Sequence, residues 1–180
     1  MKKTVIFCAM SAVMLVTACK KDKNEVEQPD PVNESELITK VKLQFTADGD
    51  TTSFQFSDPD GEGGKNGVTD TIRLNPSKTY QVSITVLDES KNPVDNVTEE
   101  IEEEAVDHLF CFEPFGAQVT VTRTDKDQNN REVGLKSQWV TASTSSGSII
   151  VRLRHQPGVK NGSCDVGETD VEVNFPVIIK

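Results

Sequence analysis

Alternation is the feature that most restricts what this chain can fold into. In "VKLQF" the residues Val41, Leu43 and Phe45 fall on one side. "SFQF" repeats this with Phe54 and Phe56, "TIRL" with Ile72 and Leu74, and "YQVSITV" with Tyr80, Val82, Ile84 and Val86. The same period recurs in "VTV" (119–121), "LKSQWVTA" (135–142), "SIIVRLRH" (148–155) and "VEVNFPVII" (171–179). Successive side chains of a strand point to opposite faces, so short period-two runs broken by Gly, Asn, Asp and Pro clusters mark half-buried strands. The pattern predicts an all-β domain: an antiparallel β-sandwich of roughly seven to nine strands, immunoglobulin-like in general layout. Pro176 has no N–H to give to a ladder, so the last strand is expected at an edge or with a bulge.

One stretch breaks the period. "NVTEEIEEEAVDHLF" (96–110) reads as a single acidic α-helix, with Asn96 and Glu99 spaced as a capping box. On a helix Ile101, Ala105 and Leu109 form an apolar stripe, and Glu100, Glu104 and His108 run along its border. "LFCF" then starts the next strand.

The N-terminal region constrains the address. Residues 1–18 combine Lys2 and Lys3 with an apolar run and read as a signal peptide, too short and one-sided for a membrane span. "VTAC" fits a lipobox, which makes Cys19 the lipidated first residue of the mature chain, and multiple acyl chains on one residue give a stable anchor. Residues 19–36 are charged, proline-punctuated and free of aromatics, so they read as a tether. Residues 37–180 remain as the folded domain. The expected location is the outer membrane, facing periplasm or cell surface. Loss of Lys2 and Lys3 takes the formal charge from −10 to −12, which excludes a nucleic-acid footprint and favours cations. Cys111 and Cys164 are the thiols left in an oxidising compartment, where a disulfide is permitted but not dictated.

The chain has two histidines. His155 ends the inward row Ile149, Val151, Leu153, and His108 borders the helix stripe. If those two ends meet, Glu104, His108 and His155 form a first set of ligands for Zn or another divalent transition metal, with Asp107, Glu168 and Asp170 in support. The ordinary alternative is an i,i+4 charge pair on a solvated helix face. Two loops echo calcium-binding spacing: Asp58, Asp60 and Glu62, and Asp125, Asp127 and Asn129, with Asn130 where a left-handed turn is needed. Both lack the closing bidentate Glu, and turn chemistry alone explains Asp and Asn there. No nucleophile elbow, catalytic set or phosphate loop is present, so a binding protein is expected, not an enzyme.

The blocks "EEIEEEAVDHLF", "TDKDQNN…VGL", "LRHQPGVK" and "GETDVEVNFPV" resemble, in order, a family of small bacterial outer-envelope lipoproteins, some labelled "type 1 periplasmic binding fold superfamily". That label implies an α/β fold, against the alternation described above. The resemblance implies a role beside TonB-dependent outer-membrane receptors, which import metals, metal complexes and other scarce nutrients. It also implies a Glu where this chain has Gln156, so a ligand is missing if that Glu belongs to a metal site. The leading expectation is a lipid-anchored metal-binding partner of an importer. The alternatives are a docking module with no metal of its own, and a calcium-stabilised adhesion or glycan-binding module.

Overall fold

The computed structural model describes residues 37–61 and 67–180. The signal peptide, Cys19, the tether and Glu62 lie outside the described residues. Ten strands and one helix follow in order: β1 (Lys40–Ala47), β2 (Asp50–Ser57), β3 (Val68–Thr69), β4 (Ile72–Leu74), β5 (Thr79–Leu87), α1 (Val97–Glu103), β6 (His108–Phe115), β7 (Val119–Arg123), β8 (Lys136–Thr141), β9 (Ser145–His155) and β10 (Glu168–Ile179). Among the described residues the fold is all-β apart from this one short helix. A six-stranded sheet has the order β3-β2-β1-β5-β8-β7, and a four-stranded sheet the order β4-β10-β9-β6.

The alternating residues do what their period requires. Val41, Leu43 and Phe45 of β1, Val82, Ile84 and Val86 of β5, and Trp139 of β8 are buried on one face of the larger sheet. Ile149, Val151 and Leu153 of β9 and Val173, Phe175, Val177 and Ile179 of β10 are buried on the smaller one, and all belong to one core. Trp139 fastens the two sheets. Its ring meets Phe45 edge-on at 5.0 Å and Phe112 of β6 at 5.8 Å. Each such side chain contributes roughly 1.5–3 kcal/mol by leaving water.

Several expectations need correction, beginning with the strand count, which is ten among the described residues rather than seven to nine. The pairing is not wholly antiparallel, because β4 lies parallel to β10 through Val177↔Ile72, Ile178↔Arg73 and Ile179↔Leu74. Strand β10 is not an edge strand, and of the two alternatives expected for it the bulge is the one that holds. It carries its bulge at 169–171 rather than at Pro176, and β4 joins its flank only from Val177 onward, so Pro176 sits just before that pairing. The helix is also much shorter than its acidic run. Its last bond is Glu104 N–H to the Glu100 carbonyl, at 2.8 Å, and His108 already belongs to β6. A helix this short gains little by itself. Pairing residues 108–115 with β9 supplies a full ladder and buries Leu109, Phe110 and Cys111. No side-chain cap forms at Asn96 either; its amide donates instead to Glu99 Oε1 at 2.7 Å. The helix is held by buried Val97 and Ile101 and by Thr98, whose Oγ1 accepts from Val86 N–H at 2.8 Å.

Candidate metal centre

His108 and His155 are direct cross-strand partners at the ends of β6 and β9. The same pairing that shortened the helix therefore puts the chain's two imidazoles side by side. Their rings stack at 4.9 Å between centroids and 15° between planes. Glu104, at the C-cap of α1, closes the group from the turn that leads into β6. One ligand atom from each of Glu104, His108 and His155 lies within 4.8 Å of the others. The three residues expected from the sequence thus meet, although through a strand pair and a turn, not through helical spacing.

The protonation of His108 is set by its surroundings. Its Nδ1 lies 3.1 Å from the Glu104 carbonyl, which only accepts, so Nδ1 carries the hydrogen. Burial lowers the His108 pKa below its ordinary value, outweighing the rise from that carbonyl bond, and His155 lowers it further. A neutral ring with its proton on Nδ1 leaves the Nε2 lone pair as a ligand. Metal-binding histidines commonly hold their other N–H on a backbone carbonyl in this way.

The supporting residues divide. Glu168 pairs with His155 on β10, so His108, His155 and Glu168 form one row across three strands. Asp170, at the β10 bulge, places Oδ2 4.0 Å from His108 Nε2, and both side chains are 9% exposed. Asp107 contributes through its backbone: its carbonyl accepts the Gln156 N–H at 2.6 Å. Gln156 is fully buried and its Nε2 donates to the carbonyls of Ser163 and Val166, at 2.8 and 3.0 Å. That commits the Gln156 amide nitrogen to bracing the loop after β9, while its buried Oε1 has no hydrogen-bond partner among the described residues.

Two supports escape sequence reasoning. Lys160 is buried, with Nζ 2.7 Å from the Ala105 carbonyl and 2.9 Å from Asp127 Oδ2. This pins the turn beside Glu104 to two loops at once. A buried lysine is rare enough that nothing in "PGVKNG" announces it. Cys111 and Cys164 form a disulfide with Cα atoms 6.0 Å apart, tying β6 to the loop between β9 and β10. Pairing of these two cysteines was open from the sequence.

The second calcium-like loop spends its oxygens internally. Asp127 Oδ1 accepts from the N–H groups of Asn129 and Arg131, at 2.8 and 2.9 Å, and Oδ2 faces Lys160. Burial alone would raise the Asp127 pKa, but Lys160 and those amides together hold it below the ordinary carboxylate value. Asp125 Oδ1 accepts from Gly134 N–H at 2.8 Å, and Asn130 takes the left-handed φ of 61°. These residues build a turn. In the first loop, Asp58 bonds through its backbone to Thr39 and Gly61, while Asp60 is exposed.

Chemically, two imidazoles and a carboxylate suit Zn, Fe, Ni or Cu(II), while the disulfide removes any thiolate that would favour a softer ion. A tetrahedral ion with bonds of about 2.05 Å needs ligand atoms about 3.3 Å apart, so the set must close by up to roughly 1.5 Å. Glu104, exposed on a turn, is the residue that has room to move. Comparison with protein-family models, curated proteins and solved structures finds no match to this chain.

Proposed function

We propose that this chain is a lipid-anchored β-sandwich of the outer envelope, immunoglobulin-like in general layout. In this proposal it binds a divalent transition metal, Zn(II) foremost, or a metal complex, and assists a TonB-dependent outer-membrane importer. The observation that carries the metal reading is the convergence of Glu104, His108 and His155 within 4.8 Å, with His108 Nδ1 on a backbone carbonyl. Exposed Glu99, Glu100, Glu102 and Glu103 beside it supply a negative field that draws cations towards the site. The signal peptide and "VTAC" support the anchor at Cys19, and the resemblance supports the importer. The role is capture and delivery, not catalysis.

The test is calorimetric titration of residues 20–180, without a histidine tag, with Zn(II), Cu(II), Fe(II) and Ca(II). One equivalent of a transition metal should bind, and His155→Ala should abolish it. Absence of binding by every ion would end the metal reading.

A second reading is favoured by a different observation. β6 is the end strand of the four-stranded sheet, and Phe115 at its end is 53% exposed. A receptor docks on the Phe115 end of that strand without any metal; the Phe110 N–H and carbonyl are already taken by Val133 and Arg123. Co-purification with a membrane receptor that survives a chelator would support docking over metal delivery.

A further inference from the structure

We propose that the outer face of the six-stranded sheet docks on the phosphate-bearing headgroups of an anionic lipid bilayer, so that the domain lies with that sheet against the membrane. The proposal rests on the Cys19 anchor proposed above and is independent of the metal site.

The first argument is a gap in the charge pattern. The chain has 29 acidic residues. Among the described residues, strands β1, β2, β5, β7 and β8 carry one carboxylate, Asp50 at the hairpin end of β2. Their outward positions hold hydroxyls, amides and lysines instead. Strand pairing sets Thr51, Thr46, Gln81, Gln138 and Thr122 in one row across the five strands. The next row is Ser53, Gln44, Ser83 and Lys136, and beyond it Lys42 lies between Gln55 and Thr85. These residues alternate with the buried ones of the same strands, so they face away from the core. The smaller sheet differs, because there Arg152 is held between the carboxylates of Glu113 and Glu172.

The second argument is what this face offers a partner. Lys40 pairs with Glu89 at one end and Lys78 with Asp48 at the other, while Lys42 and Lys136 make no ion pair among the described residues. Ammonium groups, hydroxyls and amide N–H groups all donate to phosphate oxygens. Val68 and Val140, 72% and 41% exposed, lie on the same face and gain by leaving water at a headgroup boundary. The acidic remainder of the chain is repelled by an anionic surface, which turns this face towards it. The third argument is where the chain enters. Described residues begin at Leu37, three positions before Lys40 at the start of β1. The 17 residues from 20 to 36 reach at most about 60 Å when extended, so an acylated Cys19 holds the face near the bilayer. At such a local concentration a weak attraction is enough to set the orientation.

The test places the mature acylated protein in vesicles of phosphatidylcholine and in vesicles that also contain phosphatidylglycerol, and reads lysine labelling residue by residue by mass spectrometry. At low salt Lys42 and Lys136 should react about fivefold more slowly on the anionic vesicles, the effect of one lysine near such a surface, and high salt should remove the difference. Lys180, which follows β10 of the other sheet, should react equally on both. Gln44→Glu combined with Gln138→Glu puts two carboxylates on the face without touching the core, and should abolish the protection; thermal melting establishes that this variant is folded. Equal labelling of the wild type on the two kinds of vesicle would overturn the proposal, whether the face is bare or covered by something other than anionic lipid, such as a second copy. Protection that survives in the double variant would overturn it as well. Intact mass establishes the acyl groups beforehand. A protein without them would end the anchor reading itself, and the docking with it.

Discussion

Two regions of this molecule gather carboxylates, and they end differently. Around 125–131, Asp127 meets a cation supplied by the chain itself, Lys160, and backbone amides take the rest of its oxygens. Around 104–108, two imidazoles meet the Glu104 carboxylate, and Lys160 reaches only the Ala105 carbonyl nearby. Acidic spacing in the sequence is similar in both. What separates them is whether folding delivers an internal positive charge. The ion site proposed above falls where it does not.

The strongest way to break the comparison is to remove the internal cation. Lys160→Met leaves Asp127 buried without its partner and should cost about 3–5 kcal/mol in urea unfolding. Asp127→Leu added to it should recover much of that loss, since replacing both members of a buried pair with apolar groups is often near neutral. The pH dependence should change sign as well. In the wild type the Asp127 pKa is depressed, so its contribution is present above the unfolded value, about 3.9, and is lost as pH falls through the folded value. In Lys160→Met, burial dominates and the folded pKa rises above the unfolded one. Stability of the variant relative to wild type should then improve on acidification towards pH 4. Melting curves from pH 7 to pH 3 read this directly.

Next in size is the link between the regions. The Cys111–Cys164 bridge has a sequence separation of 53 residues, and Cys111→Ala with Cys164→Ala should cost about 2–4 kcal/mol by freeing the unfolded chain. The bridge ties β6, which starts with His108, to the loop that carries Lys160. Zn(II) affinity should fall along with stability.

How much of this was legible depends on the range of the cause. The inward rows of β1, β5, β9 and β10 follow from local alternation, and all four bury the residues expected except His155 and Val171, which are half-buried. The helix followed only in its first two turns, because "EEIEEEAVDH" is helical by local preference while His108 is claimed by His155 of β9, far along the chain. The triad Glu104, His108 and His155 was readable as residues, since two histidines and one acidic run leave few choices. Its geometry was not, since a strand register decided it. Lys160 carries no local signal at all; its burial is a property of three segments meeting. The bulge at Asp170 is partly visible in hindsight. Glu168 and Asp170 have even numbers, whereas Val171, Val173 and Phe175 are odd, so a strand facing His155 with Glu168 had to change phase before its apolar row.

A smaller effect sharpens the contrast from the metal side. Glu104 is exposed on a turn, so Glu104→Gln should change metal-free stability by no more than about 0.5 kcal/mol. If Glu104 is the ligand that swings in, the same change should still weaken Zn(II) by about tenfold or more. A variant that leaves affinity intact would pass its role to Glu168, which faces His155 from the other side.

The smallest expected effect is none, and it tests the Asp125 loop most directly. Calcium needs six to eight oxygens, several of them carboxylate. Asp127 has one oxygen on Lys160 and the other on two amides, and one oxygen of Asp125 is held by Gly134. Binding an ion there would require breaking the buried pair, at a cost the loop's exposed Asn129 could not offset. Millimolar calcium should therefore leave the melting temperature of the wild type unchanged, and Asp125→Asn should not alter that response. A calcium-dependent rise that disappears in Asp125→Asn would show that the internal cation does not pre-empt an external one, and the contrast between the two regions would fail at its root.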